Sequence, residues 1–337
     1  MPFLLAVAGA AHEGGAEVAL LRLLVRLRAR GWEVTLTTPR AGGLDDRARE
    51  LGLGGGPHLP VGGLAAGAGR EALRSFGPLR RLARRADVVY LNGTLAGRLL
   101  PAAAGRRTVL HVHDLVDRVS PLWRLASVVL TGSRAAADRL GRLRAQVVGF
   151  PVELGLRAAA PPWRPEPGRP VVGYVGRIEP AKGVLDLARA APALREAGAR
   201  VVVVGEDSNA TDAAYRAAVV GAPGVEHVGW IPDAAGLMPF LDVLVLPSRR
   251  EALGGTLAEA IAAGTPVVAA RTGGTPEVVE DGVTGRLVAP GDPAALTAAI
   301  LDVLDRRETM AAACRARAGR WDAGAYADRV GRLLVAP

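Results

Sequence analysis

The stretch from Asp242 to Gly264 narrows the possible folds more than any other. Asp242 to Leu246 reads D-V-L-V-L, a short apolar run suited to a strand buried in a parallel sheet. Pro247 and Ser248 end it, and Gly254-Gly255 makes a turn. Thr256 is placed to cap a helix with apolar positions Leu257, Ala260, Ile261 and Ala263; Gly264 and Pro266 close it. Strand, glycine turn and helix in that order belong to an α/β protein. The same geometry aims free backbone N–H groups, and the positive end of the helix dipole, at an anion.

The alternation recurs along all 337 residues, a length that suits two cores better than one. Phe3 to Ala8 is a first buried strand rather than a signal peptide, because no basic region precedes it. A helix over Ala16 to Arg30 and a strand over Glu33 to Thr37 complete a β-α-β opening. Residues 41–70 are glycine-rich and weakly periodic, and read as a short strand and loops. Arg70 to Arg85 reads as a basic helical stretch broken near Gly77-Pro78, and further strands fall at 87–91, 107–112, 128–131 and 146–150. Pro151 to Pro170 holds six prolines and reads as a linker. Strands then restart at 171–175, 200–204, 225–228, 242–246, 267–269 and 285–288. Two doubly wound halves with a cleft between them are expected, as domains 1–155 and 156–320. A C-terminal helix over 321–337 could cross back to the first domain.

The loop G-A-A-H-E-G-G at 9–15 is not G-x-G-x-x-G, and no acidic residue ends the second strand to hold a ribose. Both facts argue against a nicotinamide enzyme. The single cysteine, Cys314, leaves no internal disulfide, and no apolar run is long enough to span a membrane. Aromatics are 4% of the chain and no nucleic-acid motif is present, so nucleic acid is not an expected partner.

Charge is one-sided. Residues 1–155 carry 22 Arg against 12 acidic side chains, while the remainder is near balance. Leu79 and Leu82 could form one face of a helix ringed by arginines, able to rest on an anionic membrane; a solvated face beside a core stripe is the alternative. Lys182 is the only lysine among 42 basic residues. A position that keeps Lys where Arg serves everywhere else calls for a compact ammonium on a flexible stem.

Lys182 lies in G-R-I-E-P-A-K-G, residues 176–183, just past the strand Val171 to Val175. The Arg177 fork and the Lys182 point charge together suit a diphosphate. Glu251 and Glu259 flank the Gly254-Gly255 turn. Eight residues of helix would separate their backbones by ~12 Å, whereas a retaining glycosidase needs its carboxyl groups ~5 Å apart. They therefore suit two parts of one long ligand rather than an acid/base pair on one atom. His111 and His113 alternate to the same side of a strand end, and Asp114 follows. A metal pair is one reading of this spacing, but no further cluster supports it. One histidine hydrogen-bonding at an active site, with His111 packed in the core, is the other.

Together these residues carry a resemblance. G-R-I-x-x-x-K-G at 176–183, S-R-R-E-x-L-G-G-x-x-x-E-A-I-A-A-G-T-P-V-V at 248–268, G-G-T-P-E-V-V-E-D-G-V-T-G-R-L-V at 273–288 and P-G-D at 290–292 resemble the retaining glycosyltransferases of family 4. The first half matches more loosely, through Gly14-Gly15-Ala16-Glu17 and His113-Asp114. The resemblance implies GT-B architecture: two Rossmann-like doubly wound domains facing a central cleft. It implies metal-independent hexosyl transfer from a nucleotide-diphosphate sugar, UDP- or GDP-linked, to a hydroxyl acceptor with retained anomeric configuration. The donor is then a substrate, and no cofactor is expected. In such enzymes Arg177 and Lys182 would hold the diphosphate, Glu251 the donor sugar and Glu259 the ribose. Amides around Gly254, Gly255, Thr256 and Leu257 would bind phosphate. Gly14 and Gly15 would approach phosphate or acceptor, and His113 would lie near the reacting carbon.

Departures from the pattern are Leu253 in place of an aromatic residue, Gly205-Glu206-Asp207-Ser208 near the nucleotide base, and Phe150-Pro151-Val152-Glu153. They leave base and acceptor open. The basic first half raises the expectation of a lipid-linked or cell-envelope acceptor, reached by a cytoplasmic protein peripheral to the inner face of a membrane. Two alternatives stand beside transfer: nucleotide-sugar epimerisation, and a non-catalytic sugar-nucleotide-binding subunit.

Overall fold

The computed structural model of the chain describes residues 1–53, 55–63, 67–156, 160–164, 166–206 and 212–335. It divides into two compact units, Met1–Pro151 with Ala323–Pro337, and Val152–Asp322. Asp207 and Ser208, singled out above, lie outside the described residues, as do residues 157–159 and 165 of the proline-rich stretch.

The first unit runs β1 (Phe3–Ala8), α1 (Gly15–Ala29), β2 (Glu33–Thr37), α2 (Gly43–Glu50), α3 (Phe76–Ala83), β3 (Val88–Asn92), β4 (Arg107–Val112), β5 (Val128–Thr131), α4 (Arg134–Leu140) and β6 (Gln146–Val147). The strands form one parallel sheet in the order β2-β1-β3-β4-β5-β6. Alternation sorts β1 between two cores. Leu4, Ala6 and Ala8 pack with Leu20, Leu23, Leu24 and Leu27 of α1, while Leu5 and Val7 pack with Leu79 and Leu99 on the other face. Burial on both faces is why this strand reads as an unbroken apolar run.

The segment 41–70 is corrected by α2, a two-turn helix where loops and a short strand were expected. Its buried apolar positions are Leu44 and Ala48, too few to set up a visible period. The break expected near Gly77-Pro78 falls earlier. A 3₁₀ segment ends at Ser75 and α3 starts at Phe76, so Pro78 sits in a first turn whose N–H groups need no partner. Leu79 is fully buried and Leu82 packs against the same core, while Arg80, Arg81, Arg84 and Arg85 are exposed.

In the second unit β7 (Val171–Val175), α5 (Val184–Glu196), β8 (Arg200–Val204), α6 (Ala213–Val220), β9 (Val225–Gly229) and β10 (Val243–Leu246) come first. They are followed by α7 (Gly255–Ala263), β11 (Val267–Ala270), α8 (Thr275–Val278), β12 (Gly285–Val288), α9 (Pro293–Asp305) and α10 (Arg307–Arg317). The sheet is parallel, in the order β12-β11-β10-β7-β8-β9. Parts of the expected linker pack on this unit: Val152 N–H donates to the Trp321 carbonyl at 2.8 Å, and Trp163 is buried. The last helix, α11 (Ala323–Val335), returns to the first unit, where Tyr326, Ala327, Val330 and Leu334 join the α1 core. No helix among the described residues is long and apolar enough to cross a membrane.

Candidate active site

Strand order locates the site of the second unit. From β7 the chain adds β8 and β9 on one side, then β10, β11 and β12 on the other. Successive crossovers diverge at the β7/β10 boundary, and the crevice beyond the carboxyl ends of these strands is where ligands bind in such sheets. The β7 loop carries Arg177 and Lys182, and the β10 loop carries Ser248, Arg249 and Glu251.

Backbone hydrogen bonds hold the two loops together. Arg249 N–H donates to the Ala181 carbonyl at 2.9 Å, and Arg250 N–H to the same oxygen at 3.3 Å. Gly183 is left-handed at φ 64°, and a Cβ there would overlap the Pro247 carbonyl oxygen. Only glycine meets both conditions. On these supports the Lys182 ammonium donates to Glu251 Oε2 at 2.8 Å, with side chains 19% and 11% exposed. The buried Ser248 hydroxyl donates to the same oxygen at 3.2 Å, and Gly274 N–H to the Glu251 carbonyl at 3.1 Å. Arg177 instead meets Glu179 at 3.0 Å, and its carbonyl accepts from Tyr174. The structure thus joins Lys182 to Glu251 and gives Arg177 a different carboxylate. Burial, with Glu251 and Glu179 nearby, pushes the Tyr174 phenol up, so it stays a neutral donor.

The expected Thr256 cap is corrected. The helix α7 begins at Gly255 with left-handed Gly254 (φ 92°) at the N-cap position and no side-chain cap, which makes Thr256 the second helical residue. The Leu257 N–H already donates to the Gly254 carbonyl at 3.0 Å, so with no side-chain cap it is the Gly255 and Thr256 amides that the first turn leaves for an incoming anion. Leu257 is buried, and so is Glu259, two residues further on. Glu251 lies in the preceding loop, so the spacing of eight does not run along one helix axis.

In the first unit the strand order reverses between β1 and β3. Gly14 is the extended N-cap of α1, again without a side-chain cap, and Gly15 is its first residue. Asn92, fully buried at the end of β3, donates through Nδ2 to the Ala16 carbonyl at 3.3 Å. Its Oδ1 then faces His113 Nε2 at 2.8 Å, which requires the proton on Nε2. Burial lowers the His113 pKa to about 4, so the ring is neutral near pH 7. His111 is a core residue: Nδ1 lies 2.6 Å from the Tyr90 hydroxyl, and its ring stacks on His113 at 3.8 Å. Among the described residues no group of three or more His, Cys, Asp or Glu side chains could hold a metal ion. Asn92 was missed as a functional candidate; the signal was a polar residue closing an otherwise apolar strand.

Two family models match the chain, "Glycosyl transferases group 1" over residues 169–306 and "Glycosyltransferase Family 4" over residues 13–148. Among curated proteins, the glycogen synthase of Mycobacterium tuberculosis is 39% identical over 176 residues, 49% of this chain and 42% of that one. The 2-deoxystreptamine N-acetyl-D-glucosaminyltransferase of Streptomyces fradiae is 34% identical over 232 residues, 66% of this chain and 52% of that one. The chain spans about half the length of the curated relatives it matches. Anabaena HepE, solved with UDP and glucose, superposes with a TM-score of 0.82 at 21% identity, covering 99% of both chains. Fold and paired domain models together place this chain in the group 1 and family 4 glycosyltransferases, of GT-B architecture.

Proposed function

We propose that this chain transfers a hexose from a nucleotide-diphosphate sugar to a hydroxyl acceptor, with retention and without a metal. The observation that carries this is the Lys182–Glu251 pair, delivered by adjacent loops at the β7/β10 switch point beside the uncapped start of α7. A diphosphate gains charge as it leaves, so a fixed ammonium and oriented amides stabilise the transition state more than the ground state. Arg177, Lys182 and the amides of Gly255 and Thr256 bind the diphosphate, Glu251 the sugar and Glu259 the ribose. On the first unit, Gly14 and Gly15 serve phosphate or acceptor, and neutral His113 serves the reacting carbon. UDP-sugars are the first donors to try, because HepE was solved with UDP-glucose.

A thermal-shift screen against UDP-, GDP- and ADP-sugars should stabilise the protein with one base class. Lys182→Ala and Glu251→Ala should then abolish transfer while the fold survives; turnover retained in both would refute the assignment. NMR of the product's anomeric proton tests retention, and product analysis without acceptor separates epimerisation. The exposed arginines of α3 support docking of a cytoplasmic protein on an anionic membrane that carries a lipid-linked acceptor. Binding to anionic liposomes should fall as salt rises; no binding at low salt would remove this part.

A further inference from the structure

We propose that Asp186 and Arg249 are positioning residues, a second ion pair that sets the separation of Lys182 and Glu251; this rests on the donor-site assignment above. Arg249 donates through Nη2 to Asp186 Oδ1 at 2.9 Å, with Oδ2 at 2.8 Å. Asp186 lies four residues after Lys182 in the first turn of α5, and Arg249 lies two residues before Glu251. The two ion pairs therefore join the same two segments side by side, with the Ala181 carbonyl and the Arg249 and Arg250 amides as backbone links.

The Asp186 side chain is only 3% exposed. A carboxylate so buried needs a partner of opposite charge or several hydrogen bonds. Arg189 stands further off, at 3.8 Å, and is mostly exposed, so Arg249 is the close partner. The guanidinium is confined from its other side by the P-G-D turn at 290–292. Gly291 is left-handed at φ 86°, and a Cβ on it would overlap Arg249 Nη1. The Thr272 hydroxyl donates to the Arg249 carbonyl at 3.2 Å, fixing the backbone from which the side chain reaches. This gives the P-G-D motif a physical role: it leaves room for the arginine that ties the Glu251 loop to α5.

The test is a double-mutant cycle read by calorimetric binding of UDP, with GDP and ADP in parallel arms, on the full chain. Arg249→Met should weaken binding of the preferred nucleotide ~10-fold, and Arg249→Lys should recover most of it. Lys182→Met should weaken binding at least as much. In the Lys182→Met background, Arg249→Met should cost less than about 2-fold, because the pair it positions is already gone. Gly291→Ala, which displaces the guanidinium, should behave like Arg249→Met. Equal losses in both backgrounds would show that the Asp186–Arg249 pair serves general stability and would overturn the proposal, as would unchanged binding in Arg249→Met. Native affinity in Lys182→Met, or a native protein that binds none of UDP, GDP and ADP, would overturn the donor-site assignment itself. Arg249→Met leaves the buried Asp186 carboxylate without its close partner, so its fold is checked by urea unfolding beside Arg249→Lys, which keeps the charge.

Discussion

Lys182 and Glu251, 69 residues apart, meet at 2.8 Å across the loops of neighbouring strands. The pair keeps a half-buried ammonium fixed, but the carboxylate also offsets part of the field that a diphosphate would feel. Glu251→Gln removes that charge and keeps a hydrogen-bonding group of the same shape. We expect UDP to bind ~3–10-fold tighter to Glu251→Gln, a change consistent with losing one partly screened contact charge. Transfer should fall by ~100-fold or more, since the variant loses a charged contact to the sugar. Calorimetry and initial rates on the same preparation check both.

Gly183→Ala should be among the most damaging small substitutions in the second unit. It forces alanine into the left-handed region and sets a methyl against the Pro247 carbonyl. We expect a loss of ~2–4 kcal/mol, read from urea unfolding. Gly198 provides the control: its φ is 86° but nothing lies within 4 Å of an added Cβ. Gly198→Ala should cost only about 1 kcal/mol, the conformational part alone.

Strands were legible because parallel strands buried on both faces leave unbroken apolar runs. The edges of β1, β2, β4, β5, β7, β8 and β12 fall where the sequence places them. Helix α2 was not, because two buried positions make no period. The start of α7 was misread because a left-handed glycine can occupy the cap position that a threonine two residues later was expected to fill. Motif residues were legible, but their pairing was not. That Lys182 meets Glu251 follows from β7 lying next to β10, and strand order is written in no local pattern. Asn92 was hidden for the same reason, since its partners come from α1 and from the residue after β4.

The C-terminal helix α11 is a structural part of the first unit. Tyr326 is 1% exposed among the leucines of α1. Arg107 donates to the Leu333 carbonyl at 2.9 Å, and Arg329 to the Val148 carbonyl at 3.1 Å. Tyr326→Ala should cost ~3–5 kcal/mol, the range for truncating a large buried aromatic. Denaturant unfolding should show the loss in the transition of the first unit. A change below 1 kcal/mol would mean that the helix does not hold its place in this core.

The paired histidines give stability a pH dependence whose sign is fixed. Burial lowers His113 to about 4, and burial together with the neighbouring His113 lowers His111 well below the ordinary 6.5. Between about 4 and 6.5 the unfolded chain therefore binds protons at these positions that the folded chain refuses. The stabilising effect is complete above pH 6.5 and is lost as the pH falls toward 4. For His113 alone the loss approaches ~3 kcal/mol as an upper value, since the residue as a whole is only partly buried. His113→Gln retains a donor toward Asn92 Oδ1 and removes the titration. Its unfolding free energy should fall less than that of the native protein between pH 7 and pH 4.5, with the carboxylates common to both cancelling in the comparison. Equal slopes in the two proteins would place a charged His113 in the folded state and remove the neutral-ring role assigned to it.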